Sequence, residues 1–402
     1  MILSLFYTAL FIASFVTVIS LLVFFHELGH YSVARFFNVA VERFSIGFGR
    51  TLKSWTARSG TEWTIKAIPL GGYVKFLGDA GAASNPDTER LEKIRQDLEG
   101  KLATGDSAID VDACFHFKPL WQRTLIVLAG PLANFLLAIL VFAALAIMLG
   151  TQDLKSVVLE VVPESAAQSA GVEPGDMFLT LDGKDVSLAG DLIGYVALRS
   201  DVEISARVKR GNNILEFPIT PQRKSRKDSI GGESKIGTLG VRIGGEGSLV
   251  SQTYGLFSGL NYGVNEVGRS IAMTGKYIGR IFTGDEDGKA LGGVVRIATM
   301  TGKTAVDTAK LEISALERLK AMAIRLLHLS AALSIGLGVA NLMPIPVLDG
   351  GHLVYYGYEA VAGRPLSEKK QELGFRIGFS VLLTLLVIFT WNDIGYIRGL
   401  LS

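Results

Sequence analysis

His26, Glu27 and His30 stand in the run Phe25-His-Glu-Leu-Gly-His30. On a helix, residues four apart project from one face, one turn apart, so the two imidazoles could grip a single metal ion. Glu27 sits beside them, where a carboxylate could take a proton from a water held by that ion. Cys114 is the only cysteine of 402 residues, so neither a thiolate cage nor an intramolecular disulfide can form. A metal must use His, Asp or Glu. Far along the chain, Asn341-Leu-Met-Pro-Ile-Pro-Val-Leu-Asp349-Gly-Gly-His352 offers a carboxylate and another imidazole. A catalytic zinc needs three protein ligands and an open place for water. Spacing alone does not choose between Asp349 and His352 for the third place.

Positioning these residues falls to apolar segments. Leu3–Phe25 carries no charge, is long enough to cross a bilayer, and continues as helix into the histidine motif. Residues 124–149, 321–343 and 375–394 are the other three candidate spans. Ionisable residues at membrane depth are functional by default, which disfavours a merely interfacial histidine pair. Hydrophobic residues make up 49% of the chain and charged residues 19%, lean in charge for a soluble protein. The net charge of +2 comes with no dominant basic stripe, so no nucleic-acid partner is expected. The N-terminal stretch has no preceding basic residue and no small-residue cleavage pattern, so it reads as a retained span.

Basic residues cluster after the first span (Arg35, Arg43, Arg50, Lys53), before the second (Lys118, Arg123) and between the third and fourth (Arg364, Lys369, Lys370). The positive-inside rule makes these connections cytoplasmic, with both termini and residues 150–320 outside. The cluster Arg223-Lys-Ser-Arg-Lys227 lies far from any span, where the rule has little force. On this topology spans one and three deliver the two polar clusters to the same face. Pro344 and Pro346 must open the helix there, and unwound backbone at that depth requires a protein-lined or wet cleft.

Three motifs together carry a resemblance: His26-Glu27-Leu28-Gly29-His30, the Asn341-x-x-Pro344-x-x-x-Leu348-Asp349-Gly350 run, and Ala129-Gly130-Pro131-Leu132-Ala133-Asn134. With Ser45-Ile-Gly47-Phe-Gly49, they resemble the site-2 protease family of intramembrane zinc metalloproteases, within it the bacterial regulator of sigma-E protease group. The resemblance implies that His26, His30 and Asp349 bind zinc, that Glu27 is the general base or acid, and that Asn341 holds the substrate backbone or stabilises the oxyanion. It implies cleavage of membrane spans of single-span substrates, such as an anti-sigma factor or remnant signal peptides, in a bacterial inner membrane. Gly130-Pro131 with Asn134 could equally shape helix packing or line the cleft. His328 and His116 read as ordinary packed and surface histidines.

The expected fold is a polytopic α-helical membrane protein of about four spans, with a membrane-associated β-hairpin and an outer α+β domain resembling a PDZ domain. The segments are 1–40 (span one with the histidine motif), 41–120 (cytoplasmic loop with hairpin), 121–150 (span two), 151–225 (PDZ-like domain), 226–320 (outer linker and amphipathic region), 321–352 (span three with the Asn-Pro-Asp motif) and 353–402 (cytoplasmic loop and span four). Residues 42–76 read as short strands, broken at Gly71-Gly72, whose edge could pair with an extended substrate. Residues 79–113 read as a solvated connector with a helical patch near Glu89–Leu98. The pattern Ser165-Ala-Ala, Ala170-Gly-Val-Glu-Pro-Gly-Asp176, Leu181-Asp-Gly183 carries the PDZ likeness, and with it a possible peptide ligand. The sigma-E protease group often has two such domains; one is found here, and the family's Gly-Pro-x-Gly-Ile segment stands altered as Gly292-Gly-Val-Val-Arg-Ile297. The rival reading is a non-catalytic membrane scaffold with a structural metal, for which Glu27 would have no use. A metal transporter would spread its ligands along the spans.

Overall fold

The protein is described by a computed structural model covering residues 2–79, 91–94, 96, 113–227, 233–245, 247–284, 288 and 291–401. Most of the connector expected over 79–113 lies outside the described residues. The chain divides into two compact units, residues 1–141 with 297–388, and residues 142–296 with 389–402.

The first unit is built on helices. α1 runs unbroken over Ile2–Phe36, about 52 Å at 1.5 Å per residue. That exceeds the roughly 30 Å hydrocarbon core, so one helix can span the bilayer and still carry the histidines on its last turns. α2 covers Leu120–Leu149 and tolerates Pro131 inside it. Gly29 of α1 packs so closely on α2 that a Cβ there would strike the Ala129 carbonyl and Ala133. The long helix starting at Ala315 ends at Asn341 and begins with a reciprocal cap between Ser314 and Glu317. Pro344 and Pro346 forbid its continuation. A further helix, Asp349–Ala362, starts at the motif aspartate and stops at Gly363 in the left-handed conformation (φ +68°). Residues 353–402 were expected to begin as a loop; helix fills that stretch to Ala362 instead, because nothing breaks the chain before Gly363. The last helix is Glu368–Leu401.

Among the described residues, four helices are long and apolar enough to cross a membrane: Leu3–Phe36, Leu120–Leu149, Ala315–Asn341 and Lys369–Ile394. Their outer faces leave Leu5, Phe6, Leu136, Leu140, Leu386 and Val387 exposed, a surface that suits lipid as solvent.

Strands β1 (Val41–Thr56) and β2 (Glu62–Phe76) pair antiparallel. They are long and continuous rather than short, and β2 passes through Gly71-Gly72 without ending. The first half of β1 is paired on both sides: Phe44 faces Val74 and also Trp63, and Ile46 faces Gly72 and also Ile65. Both strands therefore bend, which Gly71 with φ +134° permits. The bend leaves segment 72–76 paired only to the start of β1. Phe44, fully buried and stacked on Trp63 with ring centroids 4.2 Å apart, anchors this sheet to α1 and α2 through Ala34, Phe115 and Ile126.

The second unit holds the strands Thr151–Leu154 (β3), Val158–Val161 (β4), Met177–Leu181 (β5), Lys184–Asp185 (β6), Ile204–Arg210 (β7) and Asn213–Ile219 (β8), the last four forming one sheet in the order β6-β5-β7-β8. Phe178, Leu181, Ile204, Ala206 and Val208 form its core with Leu192 and Val196 of the helix Ala189–Ala197. The domain does not stop at 225. Leu239 is buried in the same core, and Val241–Ile243 pairs with Val158–Val161. The apolar residues beyond the Gly- and Ser-rich stretch need that core to leave water, so the domain extends to at least Ile243. Within 226–320 the amphipathic expectation resolves into two helices, Leu256–Phe282 and Val294–Ala309. The buried Asp393 carboxylate accepts the Gly293 and Arg296 N–H groups at 3.0 and 3.1 Å, capping the second of these at its start.

Candidate metal centre

The long α1 carries His26, Glu27 and His30 inward-facing and buried. Asp349 reaches them from the first turn of its own helix. His26 Nε2 lies 3.2 Å from Asp349 Oδ2 and 3.2 Å from His30 Nε2, and His30 Nε2 lies 3.5 Å from Asp349 Oδ1. Among the described residues, these three form a group whose ligand atoms share a common space. For zinc–nitrogen and zinc–oxygen bonds of about 2.0–2.1 Å, tetrahedral ligands sit about 3.3–3.4 Å apart. The His26–His30 and His26–Oδ2 separations come close to such an edge, while the second carboxylate oxygen, Oδ1, turns to His30. Asp349 Oδ2 is buried without a hydrogen-bond partner, the condition of an atom that a cation would satisfy. The residues present therefore fit a zinc ion.

Three features of α2 shape the pocket. His30 Nδ1 donates to the Ile126 carbonyl at 2.9 Å, which leaves the Nε2 lone pair facing the cluster. A Cβ at Gly130 would collide with the His30 ring, so only glycine allows the imidazole to lie there. Four residues on, the Asn134 amide lies 3.0 Å from His26 Nδ1, and its backbone carbonyl accepts the Ser334 hydroxyl at 2.9 Å. The Ala-Gly-Pro-Leu-Ala-Asn motif thus both packs helices and faces the histidines, the two readings its sequence left open.

Glu27 is held from the other side. Gly72 of β2 approaches its Cγ, and the Val74 backbone N–H bonds its carboxylate. A cavity of about 180 Å³ joins these groups, lined by His26, Glu27, His30, Tyr73, Asn341 and Asp349 among others. Asn341 lines it with its amide Nδ2 donating to Leu337 O of its own helix at 3.1 Å. His352 also lines the cavity, one turn beyond Asp349. His116 is no surface residue: it pairs with the buried Asp79 at 2.8 Å. Sequence reasoning missed the Ile126 carbonyl and the Val74 N–H, since backbone groups leave no signature in residue type.

A helix-borne His-x-x-x-His pair with an adjacent carboxylate and a distant aspartate, set among membrane-length helices, is the arrangement of a membrane metallopeptidase. The pattern of peptidase family M50 matches residues 14–385, and the chain belongs to that family. It is 42% identical over 388 residues to metalloprotease MmpA of Caulobacter vibrioides, covering 96% of this chain and 95% of that protein. A Rhizobium meliloti protein that bears a zinc-metalloprotease name is 40% identical over 389 residues, 96% of this chain and 97% of that one. A similarly named Agrobacterium fabrum protein is 41% identical over 397 residues, 97% of each chain. The chain is a multi-pass membrane zinc metalloprotease.

Proposed function

We propose that the protein is an intramembrane endopeptidase that cuts the membrane-spanning segments of single-span proteins, with His26, His30 and Asp349 as zinc ligands and Glu27 as general base and acid. The observation that carries this reading is the convergence of His26, His30 and Asp349, with ligand atoms within 4.8 Å of one another, beside a buried carboxylate on a membrane-length helix. When bound, zinc would polarise the scissile carbonyl and lower the pKa of a water in its open place. Glu27 would take that water's proton and return it to the leaving amine. The Val74 N–H and Gly72 hold the Glu27 carboxylate against the cavity. Asn341, at the cavity wall, is suited to hold the substrate backbone or the developing oxyanion.

Segment 72–76 has a sheet partner on one side and lines the cavity. An unwound substrate could add there as a strand, its backbone satisfied by main-chain hydrogen bonds in a place with little water. The second unit is read as a PDZ-like filter: Leu192, Ile193 and Val196 face Ile236, Thr238 and Val241 across an apolar groove of about 420 Å³, a helix-and-strand cleft suited to an extended peptide. Substrates with bulky outer parts would be excluded until another protease trims them. An anti-sigma factor and remnant signal peptides are the substrate classes this reading favours. This reading sets the active site toward the cytoplasmic side of a bacterial inner membrane and the PDZ-like domain in the periplasm, supported by the basic connections between the spans.

The test is cleavage of a tagged single-span substrate co-reconstituted with the protein. Glu27→Gln is expected to keep zinc and fold while cleavage falls at least a hundredfold. Undiminished cleavage would refute the mechanism.

A further inference from the structure

Resting on the zinc-ligand reading above, we infer that Asn134 is a positioning residue: its side-chain oxygen accepts the His26 Nδ1 proton and so turns the Nε2 lone pair toward the zinc. The two helices run so that each histidine of α1 meets its own group on α2. His30 Nδ1 meets the Ile126 carbonyl at 2.9 Å, and His26 Nδ1 meets the Asn134 amide at 3.0 Å. The first partner is a carbonyl and can only accept, so His30 carries its proton on Nδ1 and presents Nε2. The second is an amide, which can face the ring with either its oxygen or its nitrogen.

The choice has a chemical consequence. With Nδ2 toward the ring, His26 Nδ1 accepts and its proton sits on Nε2. Nε2 then donates within the cluster, toward His30 Nε2 3.2 Å away. A protonated Nε2 cannot ligate. Rotation of the Asn134 amide by half a turn places Oδ1 on Nδ1, moves the proton there and frees Nε2. Asn134 is completely buried, and Oδ1 lacks a hydrogen-bond partner while Nδ2 faces the ring. The Ser334 hydroxyl bonds the Asn134 backbone carbonyl rather than the amide, so the backbone is anchored while the amide can turn. A ligating histidine generally donates its other ring N–H to such a partner, and loss of the partner costs 10- to 100-fold in metal affinity.

The full-length protein in detergent is titrated with zinc against a chromophoric chelator, for wild type and for Asn134→Leu, Asn134→Asp and His26→Ala. Asp keeps an acceptor oxygen in the same place, and Leu keeps the volume without one. The expectation is roughly a 10- to 100-fold loss of zinc affinity in Asn134→Leu and near wild-type affinity in Asn134→Asp. Nitrogen-15 spectra of histidine-labelled, zinc-loaded protein should show the His26 Nδ1–H in wild type and Asn134→Asp. Equal losses in the Leu and Asp variants, unchanged affinity in Asn134→Leu, or an unprotonated His26 Nδ1 in the loaded protein would each overturn the inference. Zinc binding indifferent to His26→Ala would overturn the ligand reading itself, and this inference with it; His26-dependent binding that ignores Asn134→Leu overturns this inference alone.

Discussion

A carboxylate and an imidazole, one helical turn apart, compete for the third place beside His26 and His30. Asp349 holds its oxygens 3.2 and 3.5 Å from the two Nε2 atoms, while His352 joins them only as cavity wall. Zinc content of purified protein should therefore fall by at least tenfold in Asp349→Ala and stay close to wild type in His352→Ala. The opposite pattern would reassign the ligand. Residue type and spacing were enough to nominate His26, Glu27 and His30, because a helix makes positions four apart neighbours. They were not enough to rank Asp349 over His352, because that depends on where the chain turns after Pro346.

At the scale of elements, the site is a matter of docking the Asp349 helix against α2. Arg123 near the start of α2 grips Glu359 through two hydrogen bonds of 2.5 and 3.2 Å, with both side chains largely buried. Breaking such a pair from one side strands a charge and costs on the order of 3 kcal/mol, whereas replacing both partners by apolar residues can be nearly neutral. Arg123→Ala should lower the thermal midpoint in detergent and weaken zinc retention. Arg123→Met combined with Glu359→Leu should recover most of both. A double variant no better than the single one would show that this pair does not hold the Asp349 helix. The four spans were legible as apolar runs, but the helix at 349–362 was not, since its composition mixes glycine, tyrosine and glutamate without a clear apolar stripe. The doubled-back pairing of β1 and β2 was also illegible: Phe44 has two strand neighbours, and only long-range register reveals the second.

For the whole molecule, the division into two units sets how metal removal is felt. The cluster of His26, His30 and Asp349 belongs entirely to the unit of residues 1–141 and 297–388, while the core around Phe178, Leu181 and Val208 belongs to the other. A ligand that binds only the folded state stabilises what it binds. Chelation should abolish cleavage and raise amide exchange in the turns around His26, Gly130 and Asp349, while β5 and β7 keep their protection. Equal loss of protection in both units would show one cooperative unit instead. The extension of the four-stranded domain past 225 bears on the same measurement: amides of Leu239 and Val241 should exchange with the β5 and β7 core.

By itself the sequence determined the chemistry and the medium. A metal motif without cysteine, at the end of an uncharged stretch of membrane length, leaves few readings, because ligand type and hydropathy are properties of residues and short windows. Only the folded chain shows which carboxylate lies beside the two imidazoles, which backbone carbonyl and side-chain amide address them, and which strand edge borders the cavity. Those are distances between segments separated by tens to hundreds of residues, and no local pattern encodes them. The Ala129–Asn134 motif marks the boundary: its small residues announced close packing, but only the approach of α2 to α1 showed that Gly130 and Asn134 meet the two histidines.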